Sequence, residues 1–265
     1  MGELGSTLKF QRAYAHLKDV QSCAAKFLAR KPYDIAPDDE TYPGMRTFWI
    51  TLNDLPNDTI SLAAGDAIHN ARAALDHVVY ELSAMCCSDP TDTAFPLIHK
   101  PSDWDSRDKR GRLVKSCGEH KTRLTGKAQA VIKRLQPMNG LDFTKPDRDT
   151  MTRRKLVDLH DLDILDKHKK LNVAVAYVEM SPIAWYGDKP FPGFDYVYSG
   201  SLDLNTRTEL VRLKGIPKAD VQSIPQVHVT LSEGGTGNPP IADHLDHLFM
   251  GVRVVLSELQ QFLQP

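Results

Sequence analysis

No run of about 18 consecutive apolar residues occurs in this 265-residue chain, so no membrane-spanning helix is expected. The segment from Met1 to Arg12 lacks the basic-then-apolar order of a secretory signal, which predicts a cytoplasmic protein. Cysteine is scarce. Cys23, Cys86, Cys87 and Cys117 form no CxxC pair, and the adjacent Cys86 and Cys87 are poorly placed to bridge each other or to close a zinc site. Reduced thiols follow. An excess of either charge is also missing: 33 Lys and Arg face 34 Asp and Glu, so no global field draws in a polyanion. Internal repeats and low-complexity tracts are absent.

What remains is the composition of an ordinary folded chain, 41% hydrophobic and 25% charged. Its length lies near the upper limit of one hydrophobic core, so a single compact domain over 1–265 is expected. Apolar residues at steps of three and four predict helices over 8–30, 59–86, 126–135, 152–170 and 241–263. Segments rich in Val, Tyr and Thr, bounded by Pro and Gly, predict strands over 46–52, 171–180, 194–204, 208–213 and 227–231. The Pro- and Asp-rich stretch before Arg46 reads as loop, and Ser88 to Arg123 as irregular. The class is therefore α+β: a bundle of about four long helices packed with an antiparallel sheet of four to five strands.

Two charged motifs stand out. The first runs Gly65-Asp66-Ala67-Ile68-His69-Asn70-Ala71-Arg72-Ala73-Ala74-Leu75-Asp76-His77. At about 100° per residue, Gly65, His69, Arg72 and Asp76 line one flank of the apolar face. Arg72 and Asp76 are spaced to pair, with His69 one turn away. Such residues can seat a helix by burying an ion pair. They can also do chemistry: Arg72 would steady anionic charge and His77 would move a proton, as phosphodiester cleavage by an internal 2′-hydroxyl requires.

The second motif, Leu156-Val157-Asp158-Leu159-His160-Asp161-Leu162-Asp163-Ile164-Leu165-Asp166-Lys167-His168-Lys169, is apolar nearly all round yet carries four aspartates and two histidines. Buried charges need partners. The two motif helices are therefore expected to pack together, with Arg72 pairing to Asp163 or Asp166 as well as to Asp76. Asp163, Asp166, Lys167 and His168 are the candidate binding residues. No HExxH or comparable ligand spacing occurs, so neither a metal nor a cofactor is expected.

Weaker signals complete the inventory. Arg107, Lys109, Arg110, Arg112, Lys115, Lys121, Arg123, Lys127, Lys133 and Arg134 form a locally basic stretch that could hold RNA or simply be a solvated face. Gly234-Gly235-Thr236-Gly237 lacks the Lys-Ser/Thr end of a phosphate loop and reads as a turn. Trp185, Tyr186, Phe191, Phe194, Tyr196 and Tyr198 read as sheet core or hairpin.

With both helices in view, the chain resembles an uncharacterised family of bacterial and phage proteins that carry a GDALHNLRSALDHL-like helix and, further along, an LDxxDKHR-like helix followed by strands. It is more loosely similar to HEPN ribonucleases, marked by an Arg and, a few residues on, a His on a bundle helix, the site being completed by a dimer partner. Arg72 and His77 fit that spacing. The resemblance implies a metal-independent ribonuclease of phage–host conflict, acting as a homodimer, with Arg72, His77, Asp76 and His69 at its catalytic centre and RNA held by the basic stretch. Two other functions stay open. One is a non-enzymatic binding or assembly protein in which both motifs are buried polar networks. The other is a metal-dependent hydrolase using His77, Asp163, Asp166 and His168.

Overall fold

The computed structural model describes residues 3–142, 144, 146–169, 171, 173–179, 184–185, 194–197, 202–214, 221–222, 226–232 and 239–263. Its elements are α1 (Gly5–Ala29), β1 (Tyr33–Asp38), β2 (Met45–Leu52), α2 (Asp58–Cys86), α3 (Gly118–Thr122), α4 (Gly126–Arg134), α5 (Arg148–His168), β3 (Val173–Glu179), β4 (Ala184–Trp185), β5 (Phe194–Val197), β6 (Arg207–Lys214), β7 (Val221–Gln222), β8 (Gln226–Leu231) and α6 (Ile241–Leu259). The chain is a mixed α+β protein, as its two periodicities predict. Among the described residues no helix is long and apolar enough to cross a membrane. The chain divides into two compact units, each assembled from segments distant in sequence.

The first unit comprises Met1–Lys18, Ala63–Lys170 and Leu245–Pro265. Its central element is α2, where Ala64, Ala67, Ala71 and Ala74 recur at steps of three and four and are fully buried. Small side chains on one face let neighbouring helices approach closely, and Ile68, Leu75, Val78 and Val79 fill the space beside them. On α5, Leu156, Leu159 and Leu162 are buried, and Asp147 caps its first turn by accepting the Thr150 N–H at 2.7 Å. Arg153 tolerates burial because its guanidinium donates to Gly140 O at 2.9 Å, Arg134 O at 3.1 Å and Thr150 Oγ1 at 2.8 Å. These bonds tie α5 to the end of α4.

The remaining contacts close a ring of helices. Gly251 of α6 admits the Lys155 stem of α5, since a Cβ there would lie 2.8 Å from Lys155 Cβ. Phe249 of α6 meets Phe10 and Tyr14 of α1 edge-on, with centroids 6.4 and 5.6 Å apart. The Tyr14 hydroxyl donates to Asp246 at 3.0 Å and accepts from Arg253 at 2.8 Å. Finally α2 caps α1: the Glu81 carboxylate accepts the Ser6 N–H at 2.9 Å and the Ser6 hydroxyl at 2.6 Å. A carboxylate at a helix N-terminus satisfies an orphan donor and is favoured by the helix dipole.

The second unit comprises Asp19–Leu62 and Leu171–His244. Its largest sheet has the strand order β1-β2-β6-β5, all antiparallel, with a register shift between Phe48 and Trp49. Ile50, Leu52, Leu210, Val211 and Leu213 are buried there. Arg207 lies 4.3 Å from the Trp49 ring centre and pairs with Asp38 at 3.1 Å, while Arg212 lies 3.7 Å from the Tyr42 ring centre and pairs with Glu209 at 2.7 Å.

Three details depart from the sequence reading. The stretch before Arg46 is not all loop: β1 pairs with β2 over six residues despite Pro37. An edge strand has one side unpaired, so a missing N–H is tolerated there. The strands do not form one sheet either. β3 pairs with β8 and β4 with β7, while β6 joins β2 from the N-terminal half. The irregular basic segment also contains a short helix, α3, whose first turn is capped by Cys117 accepting from His120 N. Gly234 to Gly237, Tyr186, Phe191 and Tyr198 lie outside the described residues.

The cross-helix cap on α1 generates a stability prediction. Glu81→Gln keeps one acceptor but loses the charge and half of the paired geometry, and is expected to cost about 1 kcal/mol. Urea denaturation should show a lower midpoint with an unchanged slope. A midpoint equal to that of the parent would mean that the cap contributes nothing.

Candidate functional site

The polar flank of α2 is organised around the backbone of one residue, Phe95. Arg72, 9% exposed, donates from Nη2 to the carbonyl of Phe95 at 2.7 Å. One turn along, Asp76 Oδ1 accepts the N–H of the same residue at 2.9 Å. Both backbone groups of Phe95 are thus held by one i,i+4 pair, and the Phe95 ring is buried beneath them. Arg72 Nη1 lies 3.0 Å from Asp76 Oδ1, yet its N–H is not aligned for a hydrogen bond and has no other partner among the described residues, so this contact is coulombic. The same segment is secured further along, where Ile98 N–H donates to the buried Gln136 Oε1 at 3.0 Å and Ala94 N–H to Lys121 O at 2.9 Å.

Fixing Phe95 fixes Thr93 two residues earlier. Asp76, His77, Tyr80 and Thr93 wall an open cleft of about 310 Å³. One edge of the His77 ring abuts the first turn of α1: a Cβ on Gly5 would lie 2.8 Å from Nδ1. Arg72 does not line this cleft. The Arg72 and His77 pair is therefore divided between two tasks, one a backbone anchor and the other a cleft wall.

The two motif helices do pack together, but with partners other than those expected. Asp163 of α5, 2% exposed, faces His69 Nδ1 at 3.3 Å and accepts from Lys167 Nζ at 2.6 Å. Asp166 lies against Gly65, where an added Cβ would stand 2.5 Å from Oδ1. That contact explains a glycine inside a helix, which otherwise costs about 1 kcal/mol relative to alanine. Arg72 pairs with neither Asp163 nor Asp166. The Phe95 carbonyl competes for its guanidinium, and a nearer His and Lys satisfy Asp163. His160 Nδ1 is buried without a hydrogen-bond partner among the described residues; burial first, then the positive charge of Arg72, push its pKa below the ordinary value and keep the ring neutral. His168 is exposed in the last turn of α5. Among the described residues no group of three or more His, Cys, Asp or Glu side chains could hold a metal ion.

Several cations of the basic stretch have internal duties. Arg107 donates to Gly111 O, Arg112 pairs with Asp108 at 2.9 Å, Arg123 donates to Asp89 O, and Arg134 joins Asp149 and Glu258. Lys133 sits 5.5 Å from the ring centre of the buried Trp104. Lys109, Arg110, Lys115 and Lys127 stay exposed. Sequence reasoning missed Tyr80, Thr93 and Phe95. Tyr80 carried a signal, four residues after Asp76 on the same polar flank, whereas nothing local marks Thr93 or Phe95 as the far side of a helical motif.

Asp166 yields a pH prediction. Burial first, then the charges of Asp163 and Asp66, raise its pKa above the ordinary 3.8, with His69 and Lys167 pulling the other way. The folded state therefore holds this proton more tightly than the unfolded one. Ionisation subtracts stability as pH rises from 3.8 through the raised folded value, and the penalty is complete above it. Asp166→Asn is expected to raise the Tm at pH 7, by an amount that shrinks as pH approaches 3.8. Thermal melts across that range check this, and a lower Tm at pH 7 would show the carboxylate to be net stabilising.

Against known proteins, no family model, curated protein or solved structure matches this chain.

Proposed function

We propose that this chain is a non-enzymatic binding protein, whose two charged helical motifs serve as structural seams rather than as a catalytic centre. The observation that carries this reading is the commitment of Arg72 and Asp76 to the two backbone groups of Phe95. A guanidinium that must stabilise a transition state has to reach the substrate. Arg72 is buried, hydrogen-bonded to a carbonyl and absent from the walls of the adjoining cleft. The Asp163, His69 and Lys167 cluster has the same character: a buried carboxylate satisfied from two sides, as fold-specifying polar groups are. His77, in contrast, faces an open cleft formed by the anchored segment, which is how a binding site is built on a rigid support.

The ribonuclease reading gives opposite expectations for the same variants. Under the binding reading, Arg72→Ala leaves the Phe95 carbonyl and the Asp76 charge without their partner. It should cost about 2–4 kcal/mol, less than a fully buried pair because Asp76 keeps some access to water. Single-stranded RNA incubated with the parent in excess EDTA should remain intact. Cleavage that survives EDTA and is lost in His77→Ala, with folding checked by circular dichroism, would establish the nuclease and end the binding reading. Cleavage that appears only with added divalent cation would instead favour the metal-dependent hydrolase.

A further inference from the structure

We infer that the cleft walled by Asp76, His77, Tyr80 and Thr93 is a binding site for a small, uncharged, polyhydroxylated ligand, a monosaccharide or cyclitol. This deepens the binding reading and rests on it. The volume of about 310 Å³ lies at the lower end of the range for small-ligand sites, about 300–1,000 Å³, which suits one sugar ring rather than an oligomer.

The electrostatics select against ions. Among the described residues Asp76 is the only carboxylate in the walls, and Arg72 lies 3.0 Å from it. A cation entering the cleft would meet a charge already balanced. A phosphate would approach a carboxylate, with the Arg72 guanidinium turned to the Phe95 carbonyl.

The hydrogen-bonding inventory then selects the ligand. Asp76 uses Oδ1 on the Phe95 N–H, and its Oδ2 accepts no hydrogen bond among the described residues although the side chain is 37% exposed. The Thr93 hydroxyl donates its proton to Pro90 O at 2.8 Å, leaving its lone pairs as acceptors. Tyr80, 49% exposed, supplies a phenol that both donates and accepts, and His77, whose Nδ1 edge abuts Gly5, adds its other ring nitrogen. Acceptors therefore outnumber donors in a site with little net charge. Its complement is a neutral molecule rich in O–H donors. The Tyr80 and His77 rings add flat surfaces on which the C–H face of a sugar ring can pack by dispersion. The Arg72 and Asp76 clasp completes the design, because it holds Thr93 opposite the helix before any ligand arrives and so lowers the ordering cost of binding.

The test is a titration of the full-length, 15N-labelled protein with D-glucose and with myo-inositol, read by 1H–15N correlation spectra, beside parallel titrations with inorganic phosphate and putrescine. Saturable shifts at the amides of His77, Tyr80, Thr93 and Phe95 with at least one of the two neutral compounds, and a Kd on the order of 1 mM for so small a ligand, are expected. Tyr80→Phe, which leaves the clasp intact, should weaken binding about 2- to 10-fold through loss of one hydroxyl. If phosphate or putrescine saturates these amides and the neutral compounds do not, the ligand class is wrong. If none of the four moves them at about a hundred times that Kd, the site assignment falls. Both results leave the binding reading standing, whereas EDTA-resistant RNA cleavage dependent on His77 would remove that reading itself.

Discussion

The first unit depends on the backbone of one residue, Phe95, being held at both its N–H and its C=O. Phe95 lies in a segment without regular structure, so its N–H and C=O have no helical or sheet partners, and burying them unpaired would cost several kcal/mol. The i,i+4 spacing of Arg72 and Asp76 places one donor and one acceptor on successive turns of α2, matching the two groups of that residue. The clasp accounts for the burial of Phe95 and for the position of Thr93 opposite Tyr80, and burial, then the charge of Arg72, lower the pKa of His160. Packing of α2 against its neighbours depends on a different set of residues, the alanine face and the Gly65 notch, so the helix carries a dry seam and a polar one side by side.

How much of this could be read beforehand differs by element. Helix α2 was legible because Ala64, Ile68, Ala71, Leu75, Val78, Val79 and Leu82 repeat with helical period and all are buried. The packing of α2 on α5 was legible for a different reason: each helix carried charges that an apolar surrounding does not tolerate alone, and His69 indeed meets Asp163. Which charge meets which was not legible. Arg72 had a closer acceptor in the carbonyl of Phe95, 23 residues further on in a segment with no periodicity, and a backbone group leaves no trace in the sequence. Strand β1 was hidden by Pro37, whose usual meaning as a strand breaker is suspended at a sheet edge.

The candidate site divides along the same line. His77, Asp76, Arg72 and His69 were picked out as one group, and the structure gives them three roles: anchor, cleft wall and seam. Spacing along a helix fixes the direction of each side chain but not what lies opposite. Tyr80 and Thr93 take part only because the anchored segment folds back over the helix.

Amide hydrogen exchange at Phe95 tests the clasp most directly. The account predicts that this N–H, bonded to Asp76 on a buried residue, exchanges nearly as slowly as the core amides of α2 in the parent, and that Asp76→Ala speeds it selectively while the α2 amides keep their protection. Exchange at Phe95 as fast as in an open loop in the parent, or an unchanged rate in Asp76→Ala, would contradict it.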